Sequence, residues 1–137
     1  MSMKETMPFR YDDGGRYDAG FRGTTKDCVV RAIAIVTGKP YKEVYKDISK
    51  LSPQSVRRGV PKAVYQPYMK KLGLVWTPTM GIGTGCRVTL SLDSLPPGRH
   101  VVRVTKHLTS VVDGVILDTY DCSRKGTRCV YGYWTLT

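Results

Sequence analysis

The chain reads as an α+β domain, with helices in its first half and an antiparallel sheet in its second. Three observations carry this. Apolar residues recur at helical spacing between Asp27 and Gly73. From Leu74 onward the pattern changes to short β-branched and aromatic runs separated by turn residues. The change happens once, whereas alternating helices and strands would indicate a parallel sheet. A chain of 137 residues, 41% of them hydrophobic, is enough for one core, so residues 1–137 are read as a single domain.

Residues 1–23 are polar and glycine-rich, and YDDGGRYDAGFRG reads as an extended loop that wraps the surface. Asp12, Asp13 and Asp18 lack the spacing and the closing glutamate of a calcium loop. Asp27 suits a helix N-cap, after which Val29, Ala32, Ile33 and Val36 share a face until Gly38 supplies a stop. Pro40 suits the first turn of a second helix, whose apolar stripe is Tyr41, Val44, Tyr45, Ile48 and Leu51. SPQSVRRG is a connector. PKAVYQPYMKKLG is a third helical region, interrupted or restarted at Pro67 and ended by Gly73. The expected strands are LVWTPT, RVTLSL, HVVRVTKH, LTSVVDG with VILDTYD, and RCVYGYWTL. GIGTGC lacks a following helix and a Gly-Lys-Ser/Thr ending, so it reads as a flexible loop beside the cleft and not as a phosphate loop.

One hairpin can be registered from turn chemistry. Asp113-Gly114 between two apolar runs is a two-residue turn signal. With those residues as the loop, Val112 pairs with Val115, Val111 with Ile116, Ser110 with Leu117, Thr109 with Asp118 and His107 with Tyr120. Side chains alternate along a strand, so His107, Thr109, Asp118 and Tyr120 share one face. His107 and Asp118 become diagonal neighbours roughly 7–8 Å apart at the backbone, a gap their side chains can close. Cys28 supplies a third member. It sits in the first turn of its helix, where free N–H groups and the positive dipole end favour a thiolate. Lys26 and Arg31 add positive charge and Asp27 opposes it. A lone cysteine is usually a small buried hydrophobe. With a histidine and a carboxylate on one hairpin face, it has the makings of a nucleophile, a base and an orienting acid.

This order, a cysteine opening the N-terminal helix and a histidine and Asn/Asp on later strands, resembles the papain-like cysteine hydrolase superfamily. KDCVVRAIAIVTGKPYKEVY, RRGVPKAVYQPYMKKLG and the block from Leu95 to Trp134 look like small phage- and prophage-type proteins of papain-like fold. The resemblance covers about residues 22–134, with DCVVRAIA and HLTSVVDGVILDTYDCSR its most specific parts. It implies helices packed on a C-terminal antiparallel sheet, with Cys28 as nucleophile, His107 as general base and acid, and Asp118 as orienter. Papain-like enzymes usually carry a glutamine about six residues before the cysteine as an oxyanion donor, and here that position holds Arg22. The backbone N–H of Cys28 offers one donor, and Arg22, Thr24 or Thr25 another.

The first residues, MSMKETMPFR, lack the apolar core of a signal peptide, and no stretch approaches the length of a membrane span. The expectation is a soluble cytoplasmic protein without membrane insertion, in host cytoplasm if phage-encoded. Cys122 and Cys129 flank SRKGTR and read as cross-strand neighbours able to bridge under oxidation. Neither a Cys-x-x-Cys nor a paired histidine motif suggests a metal, and no cofactor is expected. The net charge of +11 implies affinity for polyanions or acidic surfaces. Arg124, Lys125 and Arg128 form the most compact basic loop, and nine tyrosines interleave the basic residues, yet no known nucleic-acid motif organises them. Two functions follow. The first is a papain-like thiol hydrolase acting on an amide of a protein or peptide substrate, whether peptide, isopeptide or cell-wall peptide. The second is an inactive papain-like scaffold, a basic module that binds nucleic acid or an acidic protein partner.

Overall fold

The computed structural model describes residues 5–23 and 25–137. It is an α+β fold in which three helices cover one face of a six-stranded sheet. In chain order the elements are β1 (Phe9–Tyr11), α1 (Cys28–Thr37), α2 (Tyr41–Leu51), a 3-10 turn at Val56–Arg58, α3 (Lys62–Lys71), β2 (Leu74–Pro78), β3 (Arg99–Val104), β4 (His107–Val112), β5 (Val115–Asp118) and β6 (Gly132–Leu136). The sheet order is β1-β5-β4-β3-β6-β2, antiparallel except where β1 runs parallel to β5.

Period-two alternation splits the strand side chains between two cores. Val101, Leu108 and Trp134 pack with Val30, Ile33, Val44, Ile48 and Met69 beneath the helices. On the opposite face Val102, Val104, Val111 and Ile116 pack with Met7, Leu90 and Val130 from non-helical segments. α1 lies mainly over β4. Its far end is held by Arg99, whose guanidinium donates to the carbonyls of Val36 (2.6 Å) and Ile35 (2.5 Å). Those carbonyls have no partner within the helix, and a cation there also complements the dipole. The clamp sets the pose of α1, and with it the position of Cys28 at the other end.

Several local expectations are corrected. Phe9–Tyr11, read as loop, forms the edge strand β1, because the outer edge of β5 still has backbone groups to satisfy. RVTLSL is no strand: it makes only the isolated bridges Thr89 to Cys129 and Thr6 to Ser91, since both edges of β6 are occupied by β3 and β2. It runs beneath the sheet with Leu90 buried. The last strand is confined to Gly132–Leu136. α3 runs through Pro67 without a break. The ring sits on the exposed side, and the hydrogen bond it forfeits would have reached only the first turn. Asp27 precedes α1 but makes no side-chain cap, because its carboxylate is wholly buried in ion pairs. Leu51 ends the α2 stripe exposed, while Tyr41, Val44 and Ile48 are buried as expected. Cys129 is joined to Cys86, with 5.7 Å between their Cα atoms, and Cys122 is a free, buried thiol. The proposed Cys122–Cys129 bridge is therefore wrong: Cys122 turns inward to the second core. No helix among the described residues is long and apolar enough to cross a membrane.

Candidate active site

The β4–β5 hairpin has the register that its turn chemistry requires, with Val112 opposite Val115, Val111 opposite Ile116 and Ser110 opposite Leu117. Asp113 and Gly114 both take positive φ, at 48° and 80°. Ladder pairing stops there, but the shared face continues. His107 Nε2 lies 2.8 Å from Asp118 Oδ2, the Thr109 hydroxyl donates to the same oxygen at 2.7 Å, and the His107 and Tyr120 rings are 5.3 Å apart. Asp118 Oδ1 accepts the Thr119 backbone N–H at 2.7 Å. The carboxylate is thus fixed from four sides, the last being the Arg31 guanidinium at 3.9 Å.

His107 opens β4 at the end of the sheet, where the first turn of α1 meets it, and its imidazole acts on the Cys28 thiol across the groove that both line. Burial would raise the Cys28 pKa. The His107 hydrogen bond and charge, the Leu108 backbone N–H and the Arg31 guanidinium outweigh it and hold the thiol below its ordinary value. Burial would lower that of His107, yet hydrogen bonds to Asp118, Cys122 and Cys28 push it up to about 12. Asp118, which burial would raise, is held below the usual carboxylate range by His107, Thr109 and the Thr119 N–H. The three directions agree: the surroundings favour the charged forms of Cys28, His107 and Asp118 together.

Behind this line lies a second carboxylate that sequence reasoning took for a cap. Buried Asp27 pairs with Arg31 and with Arg16 Nε (3.4 Å), and accepts the Tyr41 hydroxyl at 2.6 Å. Arg31 therefore bridges Asp27 and Asp118 and ties α1 to the hairpin. Its place four residues after Asp27 and three after Cys28 was the readable signal. Cys122, also missed as a site residue, approaches His107 from the second core. His107, Asp118 and Cys122 present donor atoms within 4.8 Å of one another, a mixed N, O and S set of the kind that zinc accepts. A metal taken on Nε2 would break the His107–Asp118 hydrogen bond.

Cys28 and His107 lie in a groove of about 360 Å³ whose rim carries Lys26, Lys62, Arg103 and Lys106. Arg22 is not in it: its guanidinium donates to the Tyr17 carbonyl at 2.7 Å and stacks on the Tyr17 ring at 3.9 Å. The Thr25 hydroxyl is turned toward the Arg57 carbonyl, 3.4 Å away. Thr24 lies outside the described residues. Arg22 and Thr25 are thus both turned to backbone carbonyls outside the reaction line, while the first-turn N–H groups of Cys28 and Val29 have no partner within the helix. GIGTGC does not line the groove, correcting its expected place beside the cleft. Arg124 and Lys125 are exposed and also outside it. Arg128 is not a free surface cation, since its guanidinium donates to the carbonyls of Thr105 (2.5 Å) and Cys122 (3.4 Å). The chain matches no family model, no curated protein and no solved structure.

Proposed function

We propose that the chain is a thiol hydrolase of papain-like mechanism that cleaves an amide bond, with Cys28 as nucleophile, His107 as acid and base, and Asp118 orienting the imidazole. The observation that carries the reading is that Cys28 and His107 line one groove, with the imidazole hydrogen-bonded to buried Asp118 behind it. A scaffold that only binds has no need of an activated thiol whose imidazole is braced by a buried carboxylate.

The thiolate attacks the carbonyl carbon, forming a C–S bond as the C=O electron pair moves onto oxygen. The first-turn N–H groups of α1 stabilise that oxyanion. When the intermediate collapses, the C–N bond breaks and the imidazolium proton passes to the departing amine. Water then attacks the thioester and gives its proton to His107. The C–S bond breaks, releasing the acid and restoring the thiolate–imidazolium pair.

Alkylation by iodoacetamide, mapped by mass spectrometry, tests the central claim. Rapid modification of Cys28 at neutral pH, with Cys122 slow and with the reactivity lost in His107→Ala, is the expected result. Equally slow modification of both thiols would sink the hydrolase reading and leave a basic binding scaffold.

A further inference from the structure

The geometry points to an acidic peptide as the substrate of this groove, bound through Lys26, Lys62, Arg103 and Lys106; the inference rests on the hydrolase reading above. These four cations come from three separate places, the segment before α1, the first turn of α3 and the β3–β4 hairpin, and meet on one cleft. No aspartate or glutamate lines it. None of the four is ion-paired with a carboxylate among the described residues, although other basic side chains are: Arg16, Arg31 and Lys39 each hold one. Unpaired cations converging on a concave, partly apolar surface focus their field on whatever enters it.

Lys106 sharpens the point. It has a φ of 54°, a left-handed conformation that favours glycine or asparagine. The tight turn nonetheless carries a lysine directly before His107, and Arg128 braces that turn through the Thr105 carbonyl. The floor is suited to peptide side chains, with Val60, Tyr65, Leu108 and Tyr131 between the charges. The volume of about 360 Å³ falls within the range of small-ligand pockets and accommodates a few residues. Nucleic acid would satisfy the cations equally well, but it offers a thiolate no acyl carbon. A carboxylate-bearing peptide satisfies both halves of the site. The same cations favour the oxyanion that forms when such a peptide is attacked.

The test uses three peptidyl vinyl sulfones of equal length, rich in glutamate, glutamine or lysine, with second-order rates of Cys28 modification measured beside those of neutral iodoacetamide. The glutamate probe should react at least about tenfold faster than the lysine probe at low salt. That ratio should collapse at high salt, where surface charges are screened, and invert in Lys26→Glu/Lys62→Glu/Lys106→Glu. Because the readout is a ratio within each variant, a general loss of reactivity does not mimic it. Fast iodoacetamide labelling with a ratio near one would overturn the inference and leave the hydrolase reading intact; slow iodoacetamide labelling would take both down. A ratio near one together with salt-sensitive capture of a short oligothymidylate, abolished in the triple variant, would overturn it in favour of a nucleic-acid groove.

Discussion

The pKa of the Cys28 thiol is set by its neighbours, and their contributions have opposite signs. Burial disfavours the thiolate, while His107 and Arg31 favour it. In His107→Ala the burial acts with less opposition, so the alkylation midpoint of Cys28 should move up, toward or past the ordinary thiol value of 9.0. A pH profile of iodoacetamide rates reads this, and an unchanged midpoint would show that His107 does not tune the thiol. Cys28→Ser should abolish modification at that position and turnover of any amide substrate, with the fold nearly unchanged because the volume hardly alters. Stability should also depend on pH in a way that exposes the pair. His107 is raised from 6.5 to about 12, so its contribution is complete below 6.5 and declines as pH climbs toward 12. Cys28 is lowered from 9.0, so its contribution is complete above that value and declines as pH falls. In the interval that ends at 9.0 and begins at the lowered midpoint of Cys28, the two slopes oppose. Urea unfolding of Cys28→Ser should therefore lose stability across this interval more steeply than the wild type, and parallel curves would refute the ion pair. Asp118→Ala leaves Arg31 its pair with Asp27 but removes the carboxylate that braces the buried His107, and should cost about 3–5 kcal/mol. Asp118→Asn still accepts one hydrogen bond and should retain more alkylation rate than the alanine variant.

The β4–β5 hairpin supplies two of the three residues in the line, so its turn is a direct lever on the site. A side chain at Gly114 would meet no neighbouring atom, which leaves the positive φ of 80° as the sole source of strain. Gly114→Val should destabilise the protein by about 1–2 kcal/mol, read as a lower thermal midpoint; wild-type stability would contradict the primed turn. Gly132 in β6 is the opposite case. A Cβ there would strike the Trp76 ring and come within 2.9 Å of the Thr77 carbonyl. Gly132→Ala should thus displace the tryptophan that packs at 4.3 Å on Trp134, altering near-UV circular dichroism as well as stability. In the 122–128 loop the basic residues should separate by role. Arg124→Gln and Lys125→Gln remove exposed charge, whereas Arg128→Gln removes donors to Thr105 and Cys122 and should lower the melting temperature.

Across the molecule, one covalent tie joins the segment after β2 to the one before β6. Cys86–Cys129 closes a sequence separation of 43 residues, for which chain-entropy arguments give up to about 4 kcal/mol. Thiol counting in denaturant without reductant should find two free thiols, Cys28 and Cys122, and only Cys28 should react readily in the folded protein. Four thiols would remove the cross-link, and a Cys86–Cys122 or Cys122–Cys129 product would show a different pairing.

Much of the fold and the core of the site was legible in the chain because it is encoded locally. The positions of α1 and α2 follow from residues within a few turns of one another. Asp113-Gly114 dictates the register that brings His107 to Asp118, since a two-residue turn leaves the strands one alignment and alternation assigns the face. What was not legible depends on residues brought together from distant stretches. Asp27 looks like a cap until Arg16, Arg31 and Tyr41 converge on it, and Cys122 looks like a partner for Cys129 until packing turns it toward His107. Arg22 is one of three oxyanion candidates, at the position where the resemblance implies a donor, yet the loop carries its guanidinium back onto Tyr17. The groove exists only because Lys26, Lys62 and the Lys106 turn meet there. Periodicity and turn chemistry report which face of an element is buried; which elements then face each other is settled by how their surfaces pack, and on that packing the charge of the groove depends.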